Sequence, residues 1–289
     1  MSGADRNAVL IGYSGFLGVA LTDAIGAKGS GYAQLIAETQ RDFVRDVLDG
    51  NGRELIASLL ARSGPQDWIC TVGVVDPKAD PGLLEAINVE FPWRLYGLLG
   101  SLAPAGTVRF VTFGSVLEGH RELATSNPYL ASKSRMFDAL CGAGGVLRWH
   151  HIRLHTLYGG SKRPHPFMFA GQMYDALARK ERFKMSGGAQ LREYHHVEDI
   201  AVSVLAFLAG PYDDGMVELS SGNPIRLRDL ASAVFKHFDA SDLLEIGAKV
   251  HSNAEVFENT YRRSLHLIAG REPVEGLIAW FEELRSARY

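Results

Sequence analysis

Two cysteines in 289 residues, Cys70 and Cys141, are too few for a disulfide framework, and neither belongs to a Cys-x-x-Cys pair that would seat structural zinc. Long apolar runs are missing too: no stretch approaches the roughly 18 residues that a membrane span requires. The opening Met-Ser-Gly-Ala-Asp-Arg lacks the basic-then-apolar order of a secretory leader. Lysine and arginine are scattered and the net charge is −3, so no basic face is offered to nucleic acid or to an anionic membrane. Internal repeats and low-complexity tracts are also absent. Together these absences fit a cytoplasmic, reducing location. The 46% hydrophobic and 22% charged residues suffice for one large or two small packed domains.

What is present is an alternation of strands and helices. Ala8-Val-Leu-Ile11 reads as a buried strand. Gly12-Tyr-Ser14-Gly15-Phe16-Leu17-Gly18 follows, and a helical pattern runs from Phe16 to about Ala27. Strand, glycine turn and helix form the setting in which backbone amides approach a pyrophosphate at a helix N-terminus. The spacing is Gly-x-x-Gly-x-x-Gly, not Gly-x-Gly-x-x-Gly. A second strand is expected at Tyr32–Ala37. Residues 38–49, which include Asp46-Val47, then lead almost directly into a third. A helix is expected over Arg53–Arg62, and a fourth strand at Asp67–Gly73. A long helix over Pro81–Leu102 carries Asn88, and a fifth strand, Thr107–Phe113, ends at Gly114-Ser115. A sixth spans Val146–His155.

This alternation predicts the α/β class: a doubly wound parallel sheet of Rossmann type, with a smaller mixed α/β part toward the C-terminus. The expected division gives 1–156 plus 191–222 to a nucleotide-binding domain and 157–190 plus 223–289 to a substrate domain lying over the crevice as a lid. Ligands of such sheets sit beyond the carboxyl ends of the strands. Gly12, Gly73 and Ser115 all follow strand ends and so converge there.

Tyr129-Leu-Ala-Ser-Lys133 follows Pro128, a residue suited to the first helical position. Tyr129 and Lys133 are i and i+4, so both project from one helix face. An ammonium close to a phenol favours phenolate and is expected to lower the Tyr129 pKa from its ordinary value of about 10. Such a pair can give a proton to a carbonyl oxygen or take one from an alcohol. By itself it is also compatible with an ordinary helix surface.

These motifs occur with Asn88-Val89, Arg153-x-x-x-x-Tyr158-Gly159, Arg192-Glu-Tyr-His-His-Val-Glu-Asp199 and Ser221-Gly-Asn-Pro, in one order over about residues 8–230. The ordered set resembles the extended short-chain dehydrogenase/reductase family, also called the NAD-dependent epimerase/dehydratase family. The resemblance implies NAD(P) held by the Gly12, Ser14, Gly15, Phe16, Leu17 turn, with Asp46, Val47, Gly73 and Asn88 nearby. It makes Tyr129 the general acid/base, Lys133 its activator and a ribose ligand, and Ser115 a hydrogen-bond partner of the reacting oxygen. Arg192 would meet the diphosphate of a nucleotide sugar. Thr156, where many members place Asn, would touch the sugar.

The short 38–49 link resembles GDP-fucose synthases and dTDP-4-dehydrorhamnose reductases, and the Ser115–Tyr129 spacing resembles CDP-abequose synthases. The expected activity is therefore NAD(P)H-dependent reduction of the C4 ketone of a nucleotide-linked deoxysugar. Epimerisation and a non-catalytic NAD(P)-binding sensor or scaffold are the alternatives. Dehydratases of the family carry an Asp-Glu pair after the serine/threonine position, where this chain has Val116-Leu117. Arg41 favours NADP(H) by offering a fork to a 2′-phosphate, whereas Glu38 would accept ribose hydroxyls. His155, His165, His195 and His196, with Glu198 and Asp199 near, suggest a metal, but hydride transfer needs none and none is expected. A homodimer is expected from the stripe Leu95, Leu98, Leu99, Leu102 and from Met136, Phe137, Leu140.

Overall fold

The sheet is assembled from segments whose apolar residues run nearly unbroken, as strands covered on both faces require. The computed structural model describes residues 6–28, 30–38, 40–62, 64–250, 255–268 and 270–287; the side chains at 34, 36–38, 40 and 41 are outside that description. The chain divides into two units, residues 1–154 with 201–218 and residues 155–200 with 219–289. Residues 191–200 and 219–222, grouped by sequence with the nucleotide half, thus lie in the second unit.

In the first unit the strands are β1 (Arg6–Ile11), β2 (Tyr32–Glu38), β3 (Gln66–Cys70), β4 (Val108–Ser115) and β5 (Arg148–Leu154), with Gly215–Leu219 at the edge beside β5. β1 pairs in parallel with β2 and β3, β3 with β4, and β4 with β5. The chain therefore moves outward from β1 to β2, returns, and builds β3, β4 and β5 on the other side. The β1/β3 gap is the switch point at which such sheets bind ligands.

The helices are α1 (Phe16–Gly26), α2 (Gln40–Leu48), α3 (Arg53–Leu60), α4 (Pro81–Glu85), α5 (Phe91–Leu102), α6 (Arg121–Ser126) and α7 (Pro128–Cys141), with a π-helical turn, Ala86–Glu90, joining α4 to α5. α2 occupies the link at 38–49, and α3 follows it where the link was expected to lead into a third strand. Phe43, Val44 and Val47 are buried at helical spacing, and this stripe decided the outcome against a period of two. Leu95, Leu99, Met136 and Leu140 are buried in the unit's own core with Trp68 and Phe110. Leu98, Leu102 and Phe137, the other residues from which pairing with a second copy was expected, are only partly buried.

The second unit carries three two-stranded pairings: Thr156–Tyr158 with Tyr194–His196, Phe183–Met185 with Leu244–Ile246, and Leu191–Arg192 with Ile225–Arg226. Tyr158, Tyr174, Phe235, Trp280 and Phe281 form its core. No helix among the described residues is long and apolar enough to cross a membrane.

One core residue makes stability depend on pH. His150 on β5 is 1% exposed, neither ring nitrogen has a hydrogen-bond partner, and the Phe207 ring packs on it at 4.8 Å. Burial, with the Arg109 guanidinium, pushes its pKa down to about 4. The unfolded chain therefore binds this proton first, so the His150 contribution is complete above pH ~6.5 and is lost as pH falls toward 4. Across that window the fold should lose up to about 3 kcal/mol through this residue. Urea unfolding of His150→Leu should show a flatter stability profile from pH 7 to 4 than the wild type. Parallel profiles would assign the acid sensitivity elsewhere.

Candidate active site

The turn after β1 is closed by contacts that only glycine permits. Gly12 has φ +91°, and a Cβ there would lie 2.6 Å from Thr71 Oγ1 and 2.8 Å from the Val72 nitrogen. The Gly15 N–H donates to the Gly12 carbonyl at 2.9 Å. A Cβ on Gly18 would lie 2.1 Å from that same carbonyl oxygen, so α1 rests directly on the turn. Gly15 caps α1 without a side-chain hydrogen bond, and no acidic residue stands in the first turn. The amides at Phe16 and Leu17 therefore open a helix end whose first turn holds no acidic side chain, a cradle that fits a pyrophosphate. Ser14, exposed in the turn, borders it.

Across the switch point the end of β3 meets α7. A Cβ on Gly73 would stand 3.3 Å from both Asn88 Oδ1 and Lys133 Nζ. Asn88, buried on the π-helical turn, donates to the Val74 carbonyl and to Ser132 Oγ, each at 2.9 Å, and accepts the Val74 N–H at 2.9 Å. Its amide thus ties the loop after β3 to α7. Lys133 Nζ donates to the Phe113 carbonyl at 3.0 Å, which carries the ammonium to the end of β4, two residues before Ser115. Gly12, Gly73, Lys133 and Ser115 are in this way joined through short contacts at the strand ends. Asn127 caps α7 by accepting the Tyr129 and Leu130 amides, and Pro128 occupies the first turn.

Ser115 closes β4 in a capping box. Its Oγ accepts the Leu117 N–H at 3.3 Å, and Glu118 Oε2 accepts the Ser115 N–H at 2.9 Å. Glu118 Oε1 also receives His151 Nε2 and Arg153 Nε, both at 2.8 Å. Burial alone would raise the Glu118 carboxyl, but hydrogen bonding and charge from His151, with Arg153 and the Ser115 amide, hold it below the usual carboxylate range. Burial lowers Lys133, and the Glu118 charge partly restores it. Tyr129 departs from the expected direction: burial, then the Glu118 carboxylate, push its phenol well above the ordinary value. The expected lowering by Lys133 is not what dominates, because the ammonium is turned to the Phe113 carbonyl while the anion of Glu118 is close.

Other sequence-derived positions fall outside this cluster. Asp46 and Val47 end α2; Val47 is 1% exposed in the core, and Asp46 pairs with Arg45 at 3.8 Å. The side chains of Glu38 and Arg41, on which cofactor preference was read, lie outside the described residues. Thr156 and Arg192 belong to the second unit. The Thr156 N–H donates to the Glu193 carbonyl at 3.1 Å, and the Arg192 guanidinium is ion-paired with Glu255. Of the histidines, His155 and His195 gather with Glu193 as a buried group with metal-ligand spacing. The Glu193 carboxylate is engaged by His195, Ser220 Oγ and the Ser221 and Gly222 amides at 2.7–2.9 Å. Glu118 and His151 were missed by the sequence reading. The legible signal was Ser-x-x-Glu at 115–118, a capping-box spacing, with His151 and Arg153 at i, i+2 on one face of β5.

A glycine turn at the switch point is where α/β sheets bind dinucleotides, and here it is accompanied by Ser115 at the end of β4 and by Tyr129 and Lys133 on α7. The sequence profile of the NAD-dependent epimerase/dehydratase family matches residues 8–216, and the chain belongs to that family. No curated protein matches. Among solved structures, UDP-N-acetylglucosamine 4-epimerase from Methanobrevibacter ruminantium M1, in complex with UDP-N-acetylmuramic acid, is similar at 15% identity. The match covers 98% of this chain and 99% of that one, with a TM-score of 0.74. RMD from Pseudomonas aeruginosa, complexed with NADPH, matches at 21% identity over 98% and 99% of the two chains, with a TM-score of 0.73. DesIV, a dTDP-glucose 4,6-dehydratase from Streptomyces venezuelae with NAD and TYD bound, matches at 19% over 98% of each, with a TM-score of 0.71. At these identities the likeness establishes the shared fold.

The glycine contacts yield a direct test. In Gly18→Ala the new methyl meets backbone, and relieving such overpacking costs about 1–3 kcal/mol. NAD(P)H affinity, read by fluorescence titration, should fall about tenfold or more. Gly26→Ala, at the far end of α1 with nothing within 4 Å of its Cβ position, should bind normally. Equal affinities in the two variants would show that α1 does not hold the cofactor.

Proposed function

We propose that this enzyme reduces the C4 ketone of a nucleotide-diphosphate-linked deoxysugar, with NADP(H) preferred. Bound NAD(P)H supplies the hydride; the chain supplies position and a proton. Gly12, Gly15 and Gly18 let the backbone approach the pyrophosphate, and Lys133 with Gly73 borders the nicotinamide ribose. Ser115 accepts the Leu117 N–H, which leaves its own hydroxyl proton free for the sugar oxygen. Tyr129 gives that oxygen the proton that neutralises it as negative charge develops. Thr156 and Arg192 are assigned to the sugar and its diphosphate, Arg192 by exchanging Glu255 for the phosphate oxygens.

The observation that carries this reading is the missing acid–base pair after Ser115, where Val116 and Leu117 stand, in a chain that keeps Tyr129 and Lys133 together on α7. An epimerase would use the same phenol, and the assay below separates the two. Dehydration would call for a free acid–base pair beside Ser115. Val116 is buried there, Leu117 carries no charge, and the nearest carboxylate, Glu118, is 3% exposed and turned inward. A sensor or scaffold has no need of a proton donor. The NADP preference rests on Arg41 and gains support from the NADPH complex of the similar RMD structure.

The deciding assay mixes the protein with NADPH or NADH and a panel of nucleotide-linked 4-keto-6-deoxysugars. Stoichiometric loss of reduced-cofactor absorbance with formation of a deoxysugar is expected. Interconversion of two sugar nucleotides without net cofactor loss would replace reduction by epimerisation. Tyr129→Phe keeps the ring and removes the proton, so turnover should fall about 10²- to 10⁴-fold with cofactor affinity little changed. Near-normal turnover would remove Tyr129 from the donor role. Arg41→Ala should weaken NADPH and leave NADH binding intact; tighter NADH binding in the wild type, insensitive to Arg41, would assign the ribose to Glu38.

A further inference from the structure

We propose that Glu118 is a positioning residue for this site: its buried carboxylate, clamped by His151 and Arg153 of β5, fixes the Ser115 backbone so that the serine hydroxyl proton faces the reacting oxygen. The proposal rests on the reductase reading for what Ser115 and Tyr129 do, and on geometry for how they are held.

The geometry starts at Gly114. A Cβ there would lie 2.2 Å from His151 Nε2 and 2.5 and 2.7 Å from the two Glu118 oxygens. The Glu118–His151 pair therefore lies directly against the β4 backbone, one residue before Ser115. Oε2 takes the Ser115 N–H, and Oε1 takes His151 and Arg153. With the carboxylate accepting at His151 Nε2, the other ring nitrogen, Nδ1, faces Thr112 Oγ1 at 2.8 Å. Thr112, also on β4, is thereby drawn into the same chain of hydrogen bonds. Arg153 stacks on the Phe137 ring at 4.8 Å, which fixes the guanidinium from the α7 side. Both Glu118 oxygens and both His151 ring nitrogens are thus committed, next to the backbone on which Ser115 stands.

The same anion acts on the proton-bearing groups. Around Tyr129 and Lys133 the charged or titratable neighbours are Glu118 from the turn after β4, Cys70 from β3, and His151 and Arg153, which face Glu118 from β5. Glu118 supports the protonated form of both Tyr129 and Lys133. Removing its charge should lower both pKa values. A residue that merely stabilised the fold would leave the titrations of Tyr129 and Lys133 where they are.

Glu118→Gln keeps the shape and removes the charge. At saturating substrate its kcat should fall about 10- to 100-fold through misplacement of Ser115. The alkaline limb of its kcat profile, where the Tyr129 proton is lost, should move to lower pH. Wild-type kcat with a superimposable pH profile would overturn the proposal. If Glu118→Gln does not fold, His151→Asn, whose side chain is too short to reach Glu118, takes its place: a kcat loss of about tenfold or more with the alkaline limb unmoved is expected, and wild-type kcat overturns the proposal. A readout independent of turnover separates this idea from the functional reading. Titration of the Lys133 ammonium by nitrogen-edited NMR, in protein without substrate, should shift to lower pH in Glu118→Gln. An unmoved Lys133 titration overturns the coupling even if the wild type reduces keto-sugars. A shifted one sustains it even if no keto-sugar nucleotide is turned over.

Discussion

A half-buried ammonium, Lys133 Nζ, lies where the exits of β3 and β4 meet, and much of the first unit is arranged to accommodate it. Removing a cation from water is unfavourable unless hydrogen-bond acceptors and opposite charge replace the solvent. The acceptor is the Phe113 carbonyl, and the opposite charge is Glu118. Space comes from Gly73, where a side chain would crowd Nζ. The loop carrying Gly73 is held by Asn88, whose position on a π-helical turn aims its amide at Val74 and Ser132 together. Loss of any of these partners would leave that charge less well compensated.

The glycines follow the same logic from the other side of the switch point. Gly12 touches Thr71 and Val72, the residues between β3 and Gly73. The phosphate turn and the lysine pocket are therefore adjoining parts of one packed layer. A displacement of α1 would be felt at the loop after β3. For this reason the affinity for a dinucleotide and the placement of the proton donor are expected to respond together to changes in this layer.

What could be read from the sequence follows from how local the cause is. The strand–glycine–helix turn, Pro128 at the start of α7, and Tyr129 and Lys133 one helical turn apart are consequences of residues within a few positions, and the sequence shows them. α2 is less plain, because its helical period shows only when Phe43 and Val44 are taken together with Val47. Once they are counted, the burial repeat is helical. The direction of the Tyr129 shift was illegible for a different reason. It comes first from burial of the phenol itself and then from Glu118, whose placement depends on His151 and Arg153, over 30 residues away in sequence. Long-range electrostatics of this kind leaves no local pattern, although the capping-box spacing from Ser115 to Glu118 marks where to look.

The two buried glutamates show how one device serves different ends. Glu118 accepts the amide of Ser115 and the side chain of a histidine. Glu193 accepts the amides of Ser221 and Gly222 and the side chain of His195, and its pKa is held down to about 2 against the opposing effect of burial. In each, a buried carboxylate accepts backbone N–H donation at the exit of a strand, and an imidazole as well. Glu193 is thereby held in a network of amide, hydroxyl and imidazole hydrogen bonds, with His155 Nε2 3.7 Å away. The two sites differ in consequence. The turn held by Glu193 carries Ser221 and Gly222 in the second unit, whereas the turn held by Glu118 carries Ser115 at the end of β4. The same clamp is structural in one place and, in the proposed reading, acts through the serine it positions in the other.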